Sequence, residues 1–179
     1  MGIVDKFFGD SHSTSDATTG TGTSYAKYPW DKINVGDMIE IEGVDYQVTA
    51  RIVYYESGWI WYDYRLVRPG DKKKYWFSAA FEDGEWELAL YEEQKPATKL
   101  LPEKFEAEGK KFSLVEHGIA EATIYGPEGA QGRQMVEYWE WEDEKGEYLI
   151  VMEDWKEGVY EVAEGRPLLQ EEVEVYPAS

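Results

Sequence analysis

With 18 Lys plus Arg against 37 Asp plus Glu, this 179-residue chain carries a formal charge of −19, a sign that repels phosphate backbones and argues against nucleic acid while leaving cationic small molecules, cationic surfaces and divalent metals in play. It has no Cys, which removes thiolate nucleophiles, thiolate zinc sites and disulfide frameworks together and fits a reducing compartment. No apolar run nears the ~18 residues of a membrane span, and the N-terminus lacks the pattern of a secretory signal, so a cytoplasmic location is the expectation.

Residues 1–9, MGIVDKFFG, set Ile3 against Phe7 and Val4 against Phe8 at i, i+4 spacing, as one or two turns of an amphipathic helix would. So short a helix is marginal alone. It reads as a terminal segment that docks its Phe pair on the protein's own surface or frays; the alternative is a peptide for peripheral contact with a membrane surface or a partner, although the Lys/Arg-rich face that anionic lipid favours is missing. Residues 10–24 are almost all Ser, Thr, Gly, Asp and Ala, which predicts a flexible linker with His12 solvent-exposed. Arm and linker together take residues 1–27.

From Tyr28-Pro29-Trp30 the chain turns apolar and aromatic. Residues 38–42 alternate Ile39 and Ile41 with Glu40 and Glu42, a half-buried strand, and Gly43 turns the chain into a long, bent second strand through Tyr46, Val48, Ile52 and Tyr54. Ser57-Gly58 leads into the strand WIWYDYRLV at 59–67, which Pro69-Gly70 ends. Strands at 74–81 and 85–91 are joined by Asp83-Gly84, a strong hairpin signal.

The stretch FEDGEWEL at 81–88 then returns as WKEGVYEV at 155–162, an offset of 74 positions from Gly84 to Gly158. That offset also lays Asp63-Tyr64 on Glu137-Tyr138. Upstream, IEIEGVDYQV matches FEAEGKKFSL with an offset of 66, from Gly43 to Gly109. The eight extra residues fall most economically in the Gly-rich segment 126–132. A second unit therefore follows the first (28–93), after a connection at 94–102, and fills 103–179, with strands near 104–108, 111–125, 134–142, 147–152 and 159–163 and an additional one at 169–176. Short regular strands, tight turns and few helix signals predict an all-β fold: two homologous antiparallel meanders packed as a sandwich or as paired small barrels with pseudo-twofold symmetry.

The run Val35-Gly36-Asp37, Tyr46-Gln47-Val48, Trp61-Tyr62-Asp63-Tyr64-Arg65-Leu66 and a Trp-containing strand resembles a bacterial family of domains of unknown function, number 4178. The likeness covers 33–91 well and weakens in the second unit, where Leu101-Pro102-Glu103 stands in place of Val-Gly-Asp. It implies a bacterial, often duplicated domain with no established activity, whose genes lie near those of polyamine-synthesis and membrane-stress proteins.

Period-two alternation puts Trp59, Trp61, Asp63 and Arg65 on one face of their strand, and Met135, Glu137, Trp139 and Trp141 on one face of the equivalent strand. Each combines aromatics with a carboxylate. Trp faces attract ammonium groups by roughly 0.5–2 kcal/mol, so Trp59, Trp61, Asp63, Glu137, Trp139 and Trp141 form the candidate cation-binding set; the competing expectation is that the two faces pack on each other as a seam. No catalytic motif, cofactor fingerprint or calcium-loop spacing occurs, and His117 stands alone in the folded region. Glu82-Asp83, Glu142-Asp143-Glu144 and Glu153-Asp154 read as solvated turn carboxylates. The sequence thus points to non-catalytic binding or assembly with a protein or a cationic small molecule, and no cofactor. The alternative is an enzyme drawing acid–base carboxylates from Asp63, Glu137 and their neighbours in a cleft between the units.

Overall fold

A computed structural model describes residues 29–179; the expected N-terminal helix turn, linker and His12 lie outside them. Eleven strands follow in order: β1 (Met38–Ile41), β2 (Val44–Glu56), β3 (Trp59–Val67), β4 (Tyr75–Glu82), β5 (Glu85–Glu93), β6 (Lys104–Ala107), β7 (Lys110–Gly126), β8 (Gly129–Asp143), β9 (Leu149–Lys156), β10 (Val159–Leu168) and β11 (Val173–Tyr176). Single 3-10 turns at Trp30–Lys32 and Gln170–Glu172 are the only helical segments among the described residues.

All pairings are antiparallel and belong to one sheet, in the order β11-β1-β2-β3-β4-β5-β10-β9-β8-β7-β6, and β2 also pairs with β7. That last pairing, Arg51 to Tyr55 against Tyr125 to Glu121, bends the eight strands from β2 round to β7 into a ring. The architecture is therefore all-β, as the sequence predicts. It is not a pair of separately closed units face to face, because strands from both halves of the chain join edge to edge at β2–β7 and β5–β10.

The hairpins form because their turns supply the backbone they need. Glu42-Gly43, Ser57-Gly58, Asp83-Gly84 and Glu108-Gly109 all have positive φ at both residues, the geometry whose twist matches that of the flanking strands. The turn at Glu157-Gly158 differs: only Gly158 is left-handed, and the register slips by one residue between Val159 and Tyr160. The β7–β8 hairpin is longer than the β2–β3 hairpin, and its segment from Glu121 to Tyr125 reaches β2.

Bulges divide the long strands between two environments. In β2 the register shifts between Val48 and Ala50; in β7 it shifts between Leu114 and Glu116. An extra residue in an antiparallel strand turns the side chains that follow to the other face. Tyr46 and Val48 accordingly join an outer cluster with Ile39, Ile41, Tyr64, Leu66, Phe77 and Trp30, whereas Ile52 and Tyr54 point into the ring with Ala120, Ala122, Val136 and Tyr138. Phe112 packs outside with Trp139, Trp141, Ile150 and Met152. Three apolar clusters result, one inside the ring and two on its outer wall, over which β1–β11 and β6 fold.

Gly84 and Gly158 have φ of +87° and +82° with open space where a Cβ would stand. Replacing either by Val therefore costs about 1–2 kcal/mol of backbone strain and nothing from clash; urea denaturation of each variant checks this, and a neutral result at both contradicts the turn geometry.

Candidate functional site

The interior of the ring is not filled by its apolar cluster alone. Asp63 on β3, Glu140 on β8 and Glu153 on β9 project into it, close enough for the Asp63 charge to act on both glutamates and the Glu153 charge on Glu140. Around them stand Tyr54, Trp61, Tyr91, Tyr138 and Trp155. Trp61 stacks on Tyr54 (centroids 5.0 Å apart, planes 6° apart) and meets Tyr138 edge-on at 5.4 Å. Tyr54 lies 6.4 Å from Trp155. Two cavities of about 1010 and 550 Å³ share Trp61, Ser78, Tyr91, Tyr138 and Glu140 as walls. The larger extends past Trp59, Phe81 and Trp86, and the smaller toward Lys74 and Lys156.

The hydrogen bonds that Glu153 accepts come from neutral donors. Glu153 accepts the Tyr54 hydroxyl at 2.8 Å and the Trp155 indole N–H at 2.7 Å. Oδ1 of Asp63 and Oε2 of Glu140 are out of reach of water with no hydrogen-bond partner. Burial raises the Asp63 carboxyl to about 6 against the opposing pull of Ser78 and Tyr54. It raises Glu153 to about 7, helped by the Asp63 charge, and holds Glu140 well above the carboxylate range, with Glu116 adding to the effect. Removing charged groups from water without a counterion favours the protonated form.

A second constellation adjoins it. The Tyr138 hydroxyl donates to Oε2 of Glu56 at 2.6 Å and stands 3.1 Å from Oε1 of Glu116, while Oε1 of Glu56 accepts the Ile119 amide at 3.0 Å. These groups meet over Gly118, where any Cβ would collide with the Glu56 carboxylate and the Tyr138 hydroxyl.

The six residues singled out in the sequence do not come together. Trp59, Trp61 and Asp63 line the ring, with Trp59 half exposed at its mouth. Glu137, Trp139 and Trp141 lie on the opposite face of the sheet. Glu137 bonds His117 at 2.8 Å on the exposed surface; Trp139 stacks on His117 and is buried in the outer cluster; Trp141 is fully buried and donates its indole N–H to the Pro102 carbonyl. The two faces form no common seam. The cause is the register slip beside Gly158, which inverts the parity of the strands before it, so that sheet pairing sets Glu140 rather than Glu137 on the side of Asp63.

The carboxylates read as solvated turn residues also divide. Glu153 is an interior residue. Glu142 and Asp143 are buried, and Asp143 accepts the amides of Glu147 and Tyr148 to build the β8–β9 turn. Tyr54, Tyr91, Tyr138, Glu56, Glu116, Glu140 and Glu153 were the residues sequence reasoning missed. The alternation Val151, Glu153, Trp155, an acid held between two apolar residues on one face, was the signal that could have found one of them.

Residues 34–170, more than three-quarters of the chain, match the model of a protein family described as a domain of unknown function, DUF4178. Among curated proteins the chain is similar to the uncharacterized proteins Rv2597 of Mycobacterium tuberculosis (strain H37Rv) and Mb2628 of Mycobacterium bovis, each 26% identical over 154 residues, covering 82% of this chain and 73% of theirs. No solved structure matches it.

A folded-state pKa raised above the unfolded value contributes stability below the unfolded value that is lost as pH rises through the folded one. For Asp63 and Glu153 that window runs from about pH 4 to 7. The double variant Asp63→Asn, Glu153→Gln should consequently gain on the parent by on the order of 2 kcal/mol per group at pH 8 and by little at pH 4, as followed by thermal melts across that range. A pH-independent difference contradicts the buried-carboxyl assignment.

Proposed function

We propose that this chain, which belongs to the DUF4178 family, is a non-catalytic binding protein whose ring takes up a small organic cation, an amine or a guanidine, between its aromatic walls and its carboxyl cluster. The observation that carries the reading is the pooling of Asp63, Glu140 and Glu153 from three strands in one chamber, with none of the three in an ion pair among the described residues. An ammonium group entering there replaces protons. It gains Coulomb attraction in a site poor in water and the faces of Trp61 and Tyr54 for cation–π contact. The reading goes with the cytoplasmic location expected from the sequence, and the −19 charge raises the local concentration of any cation.

We infer in addition that the two five-strand meanders are copies of one unit related by a pseudo-twofold axis. Supporting this are the bulges at Val48/Ala50 and Leu114/Glu116, 66 positions apart, and the pairing of Tyr91 with Gly165, 74 positions apart, at the middle of the β5–β10 ladder. A Cβ at Gly165 would run into the Leu90 carbonyl and the Tyr91 ring, so one copy supplies the tyrosine and the other the space for it.

One observation favours the competing reading, an acid–base enzyme: Glu116 and Glu140 are cross-strand neighbours joined by a hydrogen bond beside the Tyr138 hydroxyl, which is how a carboxyl pair comes to share a proton.

The test is a titration of Trp fluorescence with spermidine and with butylammonium at low ionic strength. Saturable quenching is expected, tightening from pH 6 to 8 as interior protons are displaced, and weakening at least tenfold in Asp63→Asn, Glu153→Gln but not in Glu137→Gln, which removes a charge outside the ring. Equal binding by all three proteins means diffuse condensation on an acidic surface and ends the proposal.

A further inference from the structure

The two ends of the ring differ in charge. β3 ends, β4 begins and β9 ends at the same mouth, and there Arg65, Lys74 and Lys156 line the smaller cavity beside two acids, Glu93 and Glu161. The larger cavity, toward the opposite mouth, is lined by eight glutamates against one lysine and one arginine. A molecule held along the ring therefore meets bases at one end and acids at the other.

Arg65 stands apart from the two lysines. Lys74 pairs with Glu93 at 3.3 Å, and Lys156 is exposed. The Arg65 guanidinium is in no ion pair among the described residues, and its Nε is out of reach of water with no hydrogen-bond partner. Its charge acts on Glu161, as those of both lysines do, which leaves three bases facing two acids at this mouth. A buried N–H without an acceptor is unfavourable, and an anion brought to it relieves the cost.

Arg65 lies two residues from Asp63 on the same face of β3, roughly 7 Å along the strand. Oδ1 of Asp63 is likewise buried without a partner, yet the two side chains do not pair with each other. One cavity of about 550 Å³, within the size range of small-molecule sites, thus presents an unpartnered carboxyl and an unpartnered guanidinium held apart.

Resting on the proposed binding of an organic amine, we infer that the ligand is a zwitterion, an ω-amino acid whose ammonium group sits at Asp63 and Glu153 and whose carboxylate is taken by Arg65. Because the two groups do not meet, a ligand serving both carries its charges several bonds apart; an α-amino acid does not, and a short methylene chain with charged ends does. Tyr54, Trp61 and Trp155 line the same cavity and give the methylenes apolar surface. The planar fork of a guanidinium matches a carboxylate through two parallel hydrogen bonds, and its weak hydration lowers the cost of desolvation.

Diffuse attraction to a chain of charge −19 favours a plain cation over a molecule of zero net charge, so the comparison of two ligands separates the cases. Calorimetric titration at pH 8 and low ionic strength sets 5-aminopentanoate against pentylammonium, which has the same chain without the carboxylate. 5-Aminopentanoate should bind about tenfold more tightly, the worth of one charge-assisted hydrogen bond. Arg65→Gln should abolish or reverse the preference, and Arg65→Lys, which keeps the charge without the fork, should reduce it and serves as the test where the glutamine variant does not fold. Pentylammonium binding as tightly as 5-aminopentanoate or more tightly in the parent overturns the inference and leaves amine binding standing. A preference undiminished in both variants overturns it as well. Binding of neither ligand ends the amine reading itself, and this inference with it.

Discussion

Five residue pairs between β2 and β7 decide what kind of molecule this is. Without them the sheet is an open ribbon, and Tyr54, Tyr138 and Asp63 lie on a surface that water solvates. With them the same side chains face one another across a ring. Tyr54 can then reach Glu153 from β9 and Tyr138 can reach Glu56 from β2, contacts between strands that are not neighbours in the ladder. The pairing is made by the part of β7 nearest the β7–β8 turn, so the length of one hairpin decides whether the sheet closes.

Closure creates an electrostatic problem that the protein leaves open. Burying a carboxylate without a counterion is unfavourable by several kcal/mol, and the group responds by holding its proton. Here three such groups share one chamber, surrounded by hydroxyls and indoles that stabilise without neutralising. The basic side chains that line the smaller cavity, Arg65, Lys74 and Lys156, form no ion pair with the three acids. An arrangement built only for stability would have replaced these carboxyls by apolar groups of similar volume. Their presence is what the proposed binding of positive charge rests on.

Most of the strands were legible in the sequence because X-Gly turns mark their ends and period-two alternation marks their bodies. The ring was not, since nothing in β2 or β7 states which distant strand completes the pairing. The site was half legible. Asp63 with Trp61 was recognisable on its strand, but the repeat offset set Asp63 against Glu137, and one slipped residue beside Gly158 moved the true interior carboxylate to Glu140. Turn composition could not have warned of the slip: Glu42 and Glu108 adopt the left-handed conformation that Glu157 does not, although all three precede a glycine. Glu153 looked like a solvated turn acid because it precedes Asp154 in an acidic chain; its role comes from the alternation of β9 and the closure of the ring around it.

The central claim is that the ring holds carboxyl groups that keep their protons where surface carboxylates have lost theirs. Carbon-13 NMR of the Asp and Glu side-chain carboxyls, titrated from pH 3 to 9 in the absence of amines, measures this directly. The account predicts that the Asp63 and Glu153 resonances change with midpoints near 6 and 7 and that Glu140 titrates well above an ordinary carboxylate. All three ionising near pH 4 would mean that water fills the interior, and would contradict it.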